Sequence, residues 1–210
     1  MRSWNGETGY APSAMPSAPP ETMGDLLVTM KHAAAALREA DVEFLLGGGL
    51  AIWALGGPPT DHDVDFFVRE RDAQRGLDAL VEAGMRSERP PEDWLVKAYD
   101  GDVLVDLIFC PAGGPVDDAF FARATEIEVN AQRVRVASID DVLATKLLAI
   151  SEQEPDFRDV LAVARALREQ IDWDEVEARA SSSPFARGFF AIAEGLGIRQ
   201  PAAAVEPAAA

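Results

Sequence analysis

The chain has 210 residues, 48% of them apolar and 26% charged, which is the composition of a folded globular protein. Acidic residues outnumber basic ones by 36 to 19, so the formal net charge is −17. Because proteins that bind DNA or RNA neutralise phosphates with lysine and arginine, this balance argues against a nucleic-acid partner. The longest apolar runs are far shorter than a membrane span, and the N-terminus lacks the apolar segment of a secretory signal. We therefore expect a cytoplasmic protein.

Composition and periodicity divide the chain into four parts. Residues 1–22 and 199–210 are rich in proline and small residues, which predicts disordered tails. Residues 23–137 mix helical and strand patterns and form the predicted core. Residues 138–198 show helical patterns alone and form a predicted helical part.

The core elements are read in chain order from the spacing of apolar residues. Helical spacing predicts helices over 25–40, 50–55 and 72–83. Short apolar runs predict strands over 43–46, 64–68, 94–99, 103–109, 127–129 and 134–136. Asp100-Gly101, between the third and fourth of these strands, is a strong hairpin signal. Residues 117–126 are predicted to form a loop.

The predicted helical part contains four helices. Ser138, with Asp141 three residues later, forms a capping box, and Asp172 and Ser183 are N-cap residues for two more helices. The fourth helix is predicted over 157–168. The first half of the chain mixes strands and helices, and helices alone follow. This order predicts an α+β fold with a small mixed sheet flanked by helices and a helical C-terminal part.

Three carboxylates indicate a cation site. Asp63 and Asp65 are two apart at the start of a strand, so both side chains lie on one face of the sheet, where they repel each other unless a cation or proton separates them. Asp106 is the one charged residue in the apolar run 103–109, and a buried carboxylate needs a metal ion or a polar partner. If the two strands are neighbours, the three groups meet, and carboxylate oxygens suit Mg²⁺.

A glycine-rich turn precedes this pair. Gly48 and Gly49 follow a strand and open the short helix at Leu50. A phosphate approaches a backbone closely only where no Cβ intervenes, and the amides that begin a helix favour negative charge. The turn is neither a dinucleotide fingerprint, which would need glycine at Ile52, nor a P-loop, since no Gly-Lys-Ser/Thr follows.

The segment from Leu46 to Val68, LGGGLAIWALGGPPTDHDVDFFV, resembles the polymerase-β-like nucleotidyltransferase superfamily, most closely its small prokaryotic antibiotic and toxin–antitoxin members. The resemblance implies a Mg²⁺-dependent transfer of a nucleoside monophosphate from an NTP such as ATP to an acceptor, a small molecule or a protein. It implies that Asp63, Asp65 and Asp106 are the metal-binding and catalytic residues, with Asp106 helping to deprotonate the acceptor.

The same resemblance implies a triphosphate site. Gly48 and Gly49 match the family's glycine pair, and Lys146 matches a lysine that contacts the triphosphate from a helix after the sheet. Many relatives carry an arginine before the first aspartate, where this chain has proline and threonine over 58–60. This difference motivates the alternative function, a catalytically degenerate nucleotide-binding or toxin–antitoxin-type interaction module.

Three other residues have chemical potential of their own. His62 adjoins Asp63, but a zinc hydrolase site needs two or three histidines, so we interpret His62 as a solvated loop residue or a contact to a metal ligand. Lys97 lies on the strand facing Asp106 across the hairpin, and the sequence does not decide its partner. Cys110 ends an apolar strand and is predicted to be a buried, inert thiol.

Overall fold

The computed structural model of the protein describes residues 22–153 and 155–200, and within them eight helices and seven strands. The helices are α1 (Met23–Glu39), α2 (Gly48–Ala54), α3 (Glu70–Glu82), α4 (Asp118–Ala122), α5 (Ile139–Ala149), α6 (Arg158–Leu167), α7 (Trp173–Ala180) and α8 (Pro184–Gly195). The strands are β1 (Phe44–Leu46), β2 (Val64–Val68), β3 (Arg86–Glu88), β4 (Leu95–Asp100), β5 (Val103–Ile108), β6 (Thr125–Val129) and β7 (Gln132–Val136).

All seven strands form one mixed sheet in the order β3-β4-β5-β2-β1-β7-β6. The pairs β2/β5 and β1/β7 are parallel, and the other neighbours are antiparallel. The β4/β5 hairpin closes with Asp100 opposite Val103, as the Asp100-Gly101 signal predicts, and Gly101 has a positive φ of 66°. The predicted α+β fold with a mixed sheet and a helical C-terminal part is confirmed, although the sheet is larger than expected.

Helices cover the sheet in two groups. Helices α1 and α3 contact each other and β5, and Gly76 of α3 lies so close to Leu107 that an added Cβ would sit 2.9 Å from that side chain. Helix α2 contacts β2, and α5 contacts α2 together with α6, α7 and α8. One continuous apolar core runs through the sheet and both groups of helices. The C-terminal helices are therefore anchored to the sheet through α5 and α2.

A buried ion cluster ties the C-terminal helices to α4. Asp141 of α5 is 3% exposed, and its Oδ1 accepts hydrogen bonds from Arg123 Nη2 at 2.7 Å and Arg179 Nη1 at 2.6 Å. The predicted cap is present, since the backbone N–H of Asp141 donates to Ser138 Oγ at 3.1 Å. In a capping box the Asp141 carboxylate would also accept a hydrogen bond from the Ser138 backbone N–H. Here it accepts instead from the Ser138 hydroxyl and from the two arginines.

Two elements differ from the predictions. Strand β3 is a short, exposed run of polar residues at the sheet edge, so it carries no apolar alternation. Helix α4 replaces part of the loop predicted over 117–126. Asp117 caps this helix by accepting a hydrogen bond from the Phe120 N–H at 2.9 Å. Phe120 and Phe121 are the buried residues of the helix.

The ends of the described chain belong to the fold. Most of the predicted tails lies outside the described residues. Thr22 caps α1, with its side chain accepting from the Asp25 N–H, and Arg199 is 4% exposed and pairs with Glu177 at 2.6 Å. Both positions were included in the predicted tails. Within the described ranges, none of the helices has the length and apolar character needed to cross a bilayer.

Candidate active site

The parallel strands β2 and β5 bring the three predicted carboxylates together. Asp65 lies directly opposite Asp106 in the sheet, and Asp63 stands one residue before β2 begins. One carboxylate oxygen from each of the three residues lies within 4.8 Å of the others. Asp106 is 6% exposed, whereas Asp63 and Asp65 are half-buried. The strand adjacency on which the site prediction depended is therefore present.

The surroundings disfavour ionisation of all three groups. Burial raises the pKa of Asp106 to about 6, against the attraction of Lys97 and with added repulsion from Asp63 and Glu92. Burial, with repulsion from the other two aspartates, raises the pKa of Asp65 well above its ordinary range. Burial also raises the pKa of Asp63, an effect that the nearby Lys146 opposes.

The donor atoms fit a hard cation. Oδ1 of Asp106 is shielded from solvent and has no hydrogen-bond partner among the described residues. A buried carboxylate oxygen without a donor is costly, and three converging carboxylates multiply that cost. Mg²⁺ binds carboxylate oxygens in this way and would remove the repulsion. The residues present therefore suit a divalent cation.

The glycine turn lies against this cluster. Gly48 has a positive φ of 53°, and a Cβ added there would sit 1.6 Å from Asp65 Oδ2. The Gly47 N–H donates to the Asp65 carbonyl at 2.8 Å, which joins the turn to β2. A Cβ at Gly49 would meet Thr60 Oγ1 at 2.4 Å, so the 58–60 segment packs on the same turn. Only glycine fits at Gly48, which places bare backbone beside the carboxylates.

Lys146 faces the site from α5. It lines a pocket of about 200 Å³ together with Gly49, Thr60 and Asp159, between α2, the 58–62 segment and α6. Its positive charge opposes the increase that burial causes in the pKa of Asp63 and Asp65. Among the described residues it has no ion-pair partner within 4.0 Å. The structure therefore brings the predicted glycines and lysine to the same side of the carboxylates.

Comparison with known proteins identifies the family of this chain. Residues 27–186 match the model of the family described as nucleotidyl transferase of unknown function, DUF2204. The chain belongs to this nucleotidyltransferase family. A search of curated proteins gives no significant match.

Three solved structures share the fold of this nucleotidyltransferase family member. The solution structure of the antibiotic-resistance factor ANT(2'')-Ia matches with a TM-score of 0.60 and 19% identity, over 84% of this chain and 98% of that one. Its crystal structure with adenylyl-2''-tobramycin gives 0.59 and 18%, over 78% and 98%. An antigenic nucleotidyltransferase-like protein from Paracoccidioides brasiliensis gives 0.56 and 18%, over 86% and 96%. At these identities the likeness establishes the fold.

Two charged residues to which the sequence assigned no role influence Asp106 in this family member. Lys97 lies directly opposite Asp106 in the β4/β5 pair and lowers its pKa. The hairpin signal predicted that Lys97 lies on the strand facing Asp106 and left its partner open. The observed pairing of Asp100 with Val103 places Lys97 directly opposite Asp106. Glu92, in the segment before β4, has a shielded Oε2 without a hydrogen-bond partner among the described residues. It lies in an irregular, proline-rich segment where periodicity gives no signal.

Two minor predictions have different outcomes. His62 is exposed, and its Nε2 lies 3.5 Å from Oδ1 of the neighbouring Asp61, as expected for a solvated loop residue. The prediction of a buried thiol is wrong, because Cys110 is exposed. Strand β5 ends at Ile108 and the chain bends at residues 109 and 110, so the burial of the apolar run does not extend to the cysteine.

Proposed function

We propose that this protein is a Mg²⁺-dependent nucleotidyltransferase that moves a nucleoside monophosphate from an NTP such as ATP to a hydroxyl of a small-molecule or protein acceptor. The observation that carries the proposal is the cluster of three carboxylates within 4.8 Å, with a shielded and unpartnered oxygen on Asp106. The acidic chain, with a net charge of −17, argues against a nucleic-acid acceptor.

Asp63, Asp65 and Asp106 would hold the metal. When bound, Mg²⁺ supplies positive charge that stabilises the negative charge developing on the transferred phosphoryl group. Asp65 contacts the glycine turn, and Asp63 precedes it by two residues, whereas Asp106 lies on β5, on the opposite side of β2 from the strand that leads into the turn. This difference in position supports a division of roles, with the first two nearest the triphosphate and Asp106 nearest the acceptor.

Gly48, Gly49 and Lys146 would bind the triphosphate. The missing Cβ at Gly48 lets a phosphate oxygen approach the backbone amides that open α2. Lys146 on α5 supplies a cation in the pocket that Gly49 also lines. It has no competing ion pair among the described residues. These groups hold the leaving pyrophosphate while the carboxylates hold the reacting end.

Asp106 would remove the acceptor proton. The acceptor oxygen forms a bond to the α-phosphorus, the bond from that phosphorus to the β-phosphate bridging oxygen breaks, and pyrophosphate leaves with those electrons. Asp106 takes the hydroxyl proton.

The alternative, a degenerate nucleotide-binding or interaction module, rests on the segment 58–60. Thr60 packs on Gly49 where many relatives carry an arginine, so the turn lacks that cation. This alternative predicts NTP binding without transfer, whereas the active transferase predicts both.

The test is calorimetric titration of Mg²⁺-ATP and Mg²⁺-GTP into the wild type and into Asp63→Asn/Asp65→Asn. We expect metal-dependent binding by the wild type that is lost in the double variant, while Asp102→Asn, an exposed carboxylate in the hairpin turn, binds normally. A folded wild type that binds neither nucleotide refutes the proposal. Pyrophosphate release in the presence of hydroxyl acceptors then separates the enzyme from the degenerate module.

A further inference from the structure

The pocket that Gly49 and Lys146 share extends beyond these two residues. It has a volume of about 200 Å³ and lies between α2, the 58–62 segment and α6. Two residues of its lining, one from α2 and one from α6, are each only 3% exposed. The apolar residues of the lining are Ile52, Pro58, Pro59, Ala162 and Val163. The pocket therefore combines a hydrocarbon lining with a few polar side chains.

The titratable side chains of the pocket are Asp61, His62, Lys146 and Asp159. Asp61 has a neighbour of its own, because its Oδ1 lies 3.5 Å from Nε2 of His62. Asp159 lies in the first turn of α6 and is exposed. Within residues 22–153 and 155–200 its carboxylate accepts no hydrogen bond and forms no ion pair within 4.0 Å. Both oxygens of Asp159 are therefore available to a ligand in the pocket.

A phosphate group does not suit the part of the pocket beyond Lys146. The carboxylates of Asp61 and Asp159 repel phosphate, and the apolar lining cannot replace the water that a phosphate would lose. The neutral, planar part of a nucleoside triphosphate is its base, which packs in an apolar pocket and carries polar groups at its edges. Because Gly49 and Lys146 line the same pocket, a base bound there remains within reach of a triphosphate bound at the glycine turn.

The hydrogen-bonding capacity of a carboxylate distinguishes the four bases. An ionised carboxylate only accepts hydrogen bonds, with two oxygens side by side. Guanine presents two adjacent donors, N1–H and the 2-amino group, which match these two oxygens. Adenine and cytosine each place a ring-nitrogen acceptor beside their amino group, and uracil flanks its one N–H with carbonyl oxygens. Each of these three bases therefore sets an acceptor against the carboxylate, and only guanine satisfies both oxygens.

Building on the proposed transferase function, we propose that this pocket binds the base of the nucleotide and that Asp159 selects guanine, so that GTP is the preferred donor of the nucleoside monophosphate. The N1–H and 2-amino groups of guanine donate to the two oxygens of Asp159, and the apolar lining packs on the ring. ATP binds through its triphosphate at the same glycine turn but lacks these two hydrogen bonds. The preference therefore depends on Asp159, whereas the affinity common to all nucleotides depends on the glycine turn, Lys146 and the metal.

Calorimetric titration of the full chain with the Mg²⁺ complexes of GTP, ATP and ITP measures this preference. ITP keeps the N1–H of guanine but lacks the 2-amino group. We expect GTP to bind about tenfold more tightly than ATP, with ITP between them, because two hydrogen bonds to a charged group distinguish the bases. Asp159→Asn should bring the three affinities within about twofold of one another.

Asp174→Asn is the matched control. Asp174 is the second residue of α7, as Asp159 is of α6, and it is likewise exposed but does not line the pocket. The control variant therefore loses the same charge from the same position of a helix. We expect it to keep the preference for GTP within about twofold of the wild type.

The outcomes separate the two proposals. A wild type that binds ATP as tightly as GTP, or more tightly, overturns the inference and leaves the transferase proposal standing. Equal affinity of the wild type for GTP and ITP, or a preference for GTP that persists in Asp159→Asn, likewise overturns the role of Asp159. A wild type that binds no nucleotide refutes the transferase proposal itself. Because Asp159→Asn keeps every group that would bind the triphosphate, its affinity for Mg²⁺-ATP and its circular dichroism show that the variant is folded.

Discussion

Replacing Asp106 by asparagine should stabilise the metal-free protein. The buried carboxyl has a pKa of about 6 against an ordinary value of 3.8, and each pKa unit corresponds to about 1.4 kcal/mol. Ionising Asp106 in the folded chain therefore costs about 3 kcal/mol relative to the unfolded chain. Asparagine has nearly the same shape and no charge. We expect Asp106→Asn to raise the free energy of unfolding by about 1–3 kcal/mol at neutral pH, because the neutral amide still needs hydrogen-bond partners.

The sign of the pH dependence follows from the same shift. Because the folded-state pKa lies above the unfolded one, the folded chain binds more protons between about pH 4 and pH 6, and wild-type stability falls as pH rises through that window. The difference between Asp106→Asn and wild type should be small at about pH 4 and reach its full size above about pH 6.

The assay is urea unfolding of both proteins in the presence of EDTA across this pH range. Asp102→Asn is the control, because it removes an exposed carboxylate from the hairpin turn and should change stability by less than about 0.5 kcal/mol. Added Mg²⁺ should stabilise the wild type more than Asp106→Asn. A variant that is less stable than wild type at neutral pH, or a difference that does not change with pH, would refute the claim that burial holds this carboxylate in an unfavourable ionised state.

Three other changes test the triphosphate site and the helical part. Gly48→Ala should weaken Mg²⁺-ATP binding at least about tenfold, because its Cβ would occupy the position of an Asp65 oxygen. Gly56→Ala, also at positive φ but in open space, should cost about 1–2 kcal/mol in urea unfolding without affecting nucleotide binding. Lys146→Met should lower Mg²⁺-ATP affinity about tenfold by calorimetry while leaving the thermal midpoint nearly unchanged, since the lysine has no structural ion pair among the described residues. Asp141→Asn should lower the free energy of unfolding by about 2–4 kcal/mol, because the buried Asp141 is the carboxylate that Arg123 and Arg179 share, although Arg179 keeps Glu175 as a partner; unchanged stability would show that the cluster is not structural.

The elements that position the carboxylates were predictable because their signals are strong and local. Asp100-Gly101 fixes the β4/β5 register, and Asp106 interrupts an otherwise apolar run. Alternation in strands explains why Asp63 and Asp65 share a face. The sequence did not predict that β2 pairs with β5; the site prediction only assumed it. Parallel pairing between distant segments leaves no local pattern in the sequence.

The remaining features depend on tertiary context. Strand β3 forms because three polar residues find a free edge of β4, not because their own pattern favours a strand. Glu92 lies in an irregular segment between β3 and β4, so no periodicity in the sequence could indicate that its Oε2 is shielded from solvent. For Cys110 the sequence pattern overestimated burial, because the apolar run continues past the residue at which β5 ends.

The position of Asp106 also distinguishes an enzyme from a module that only binds nucleotides. In the proposed site the glycine turn, Lys146, Asp63 and Asp65 bind the triphosphate and its metal, whereas Asp106 lies on the next strand and its ionisation is costly. A module that only binds would lose little by carrying asparagine there. We therefore expect Asp106→Asn to keep Mg²⁺-ATP affinity within about tenfold of wild type yet to slow transfer to an acceptor at least about a hundredfold, since it removes the group that takes the proton. Equal loss of binding and transfer would instead mean that Asp106 acts only as a ligand of the metal and that the proton leaves by another route.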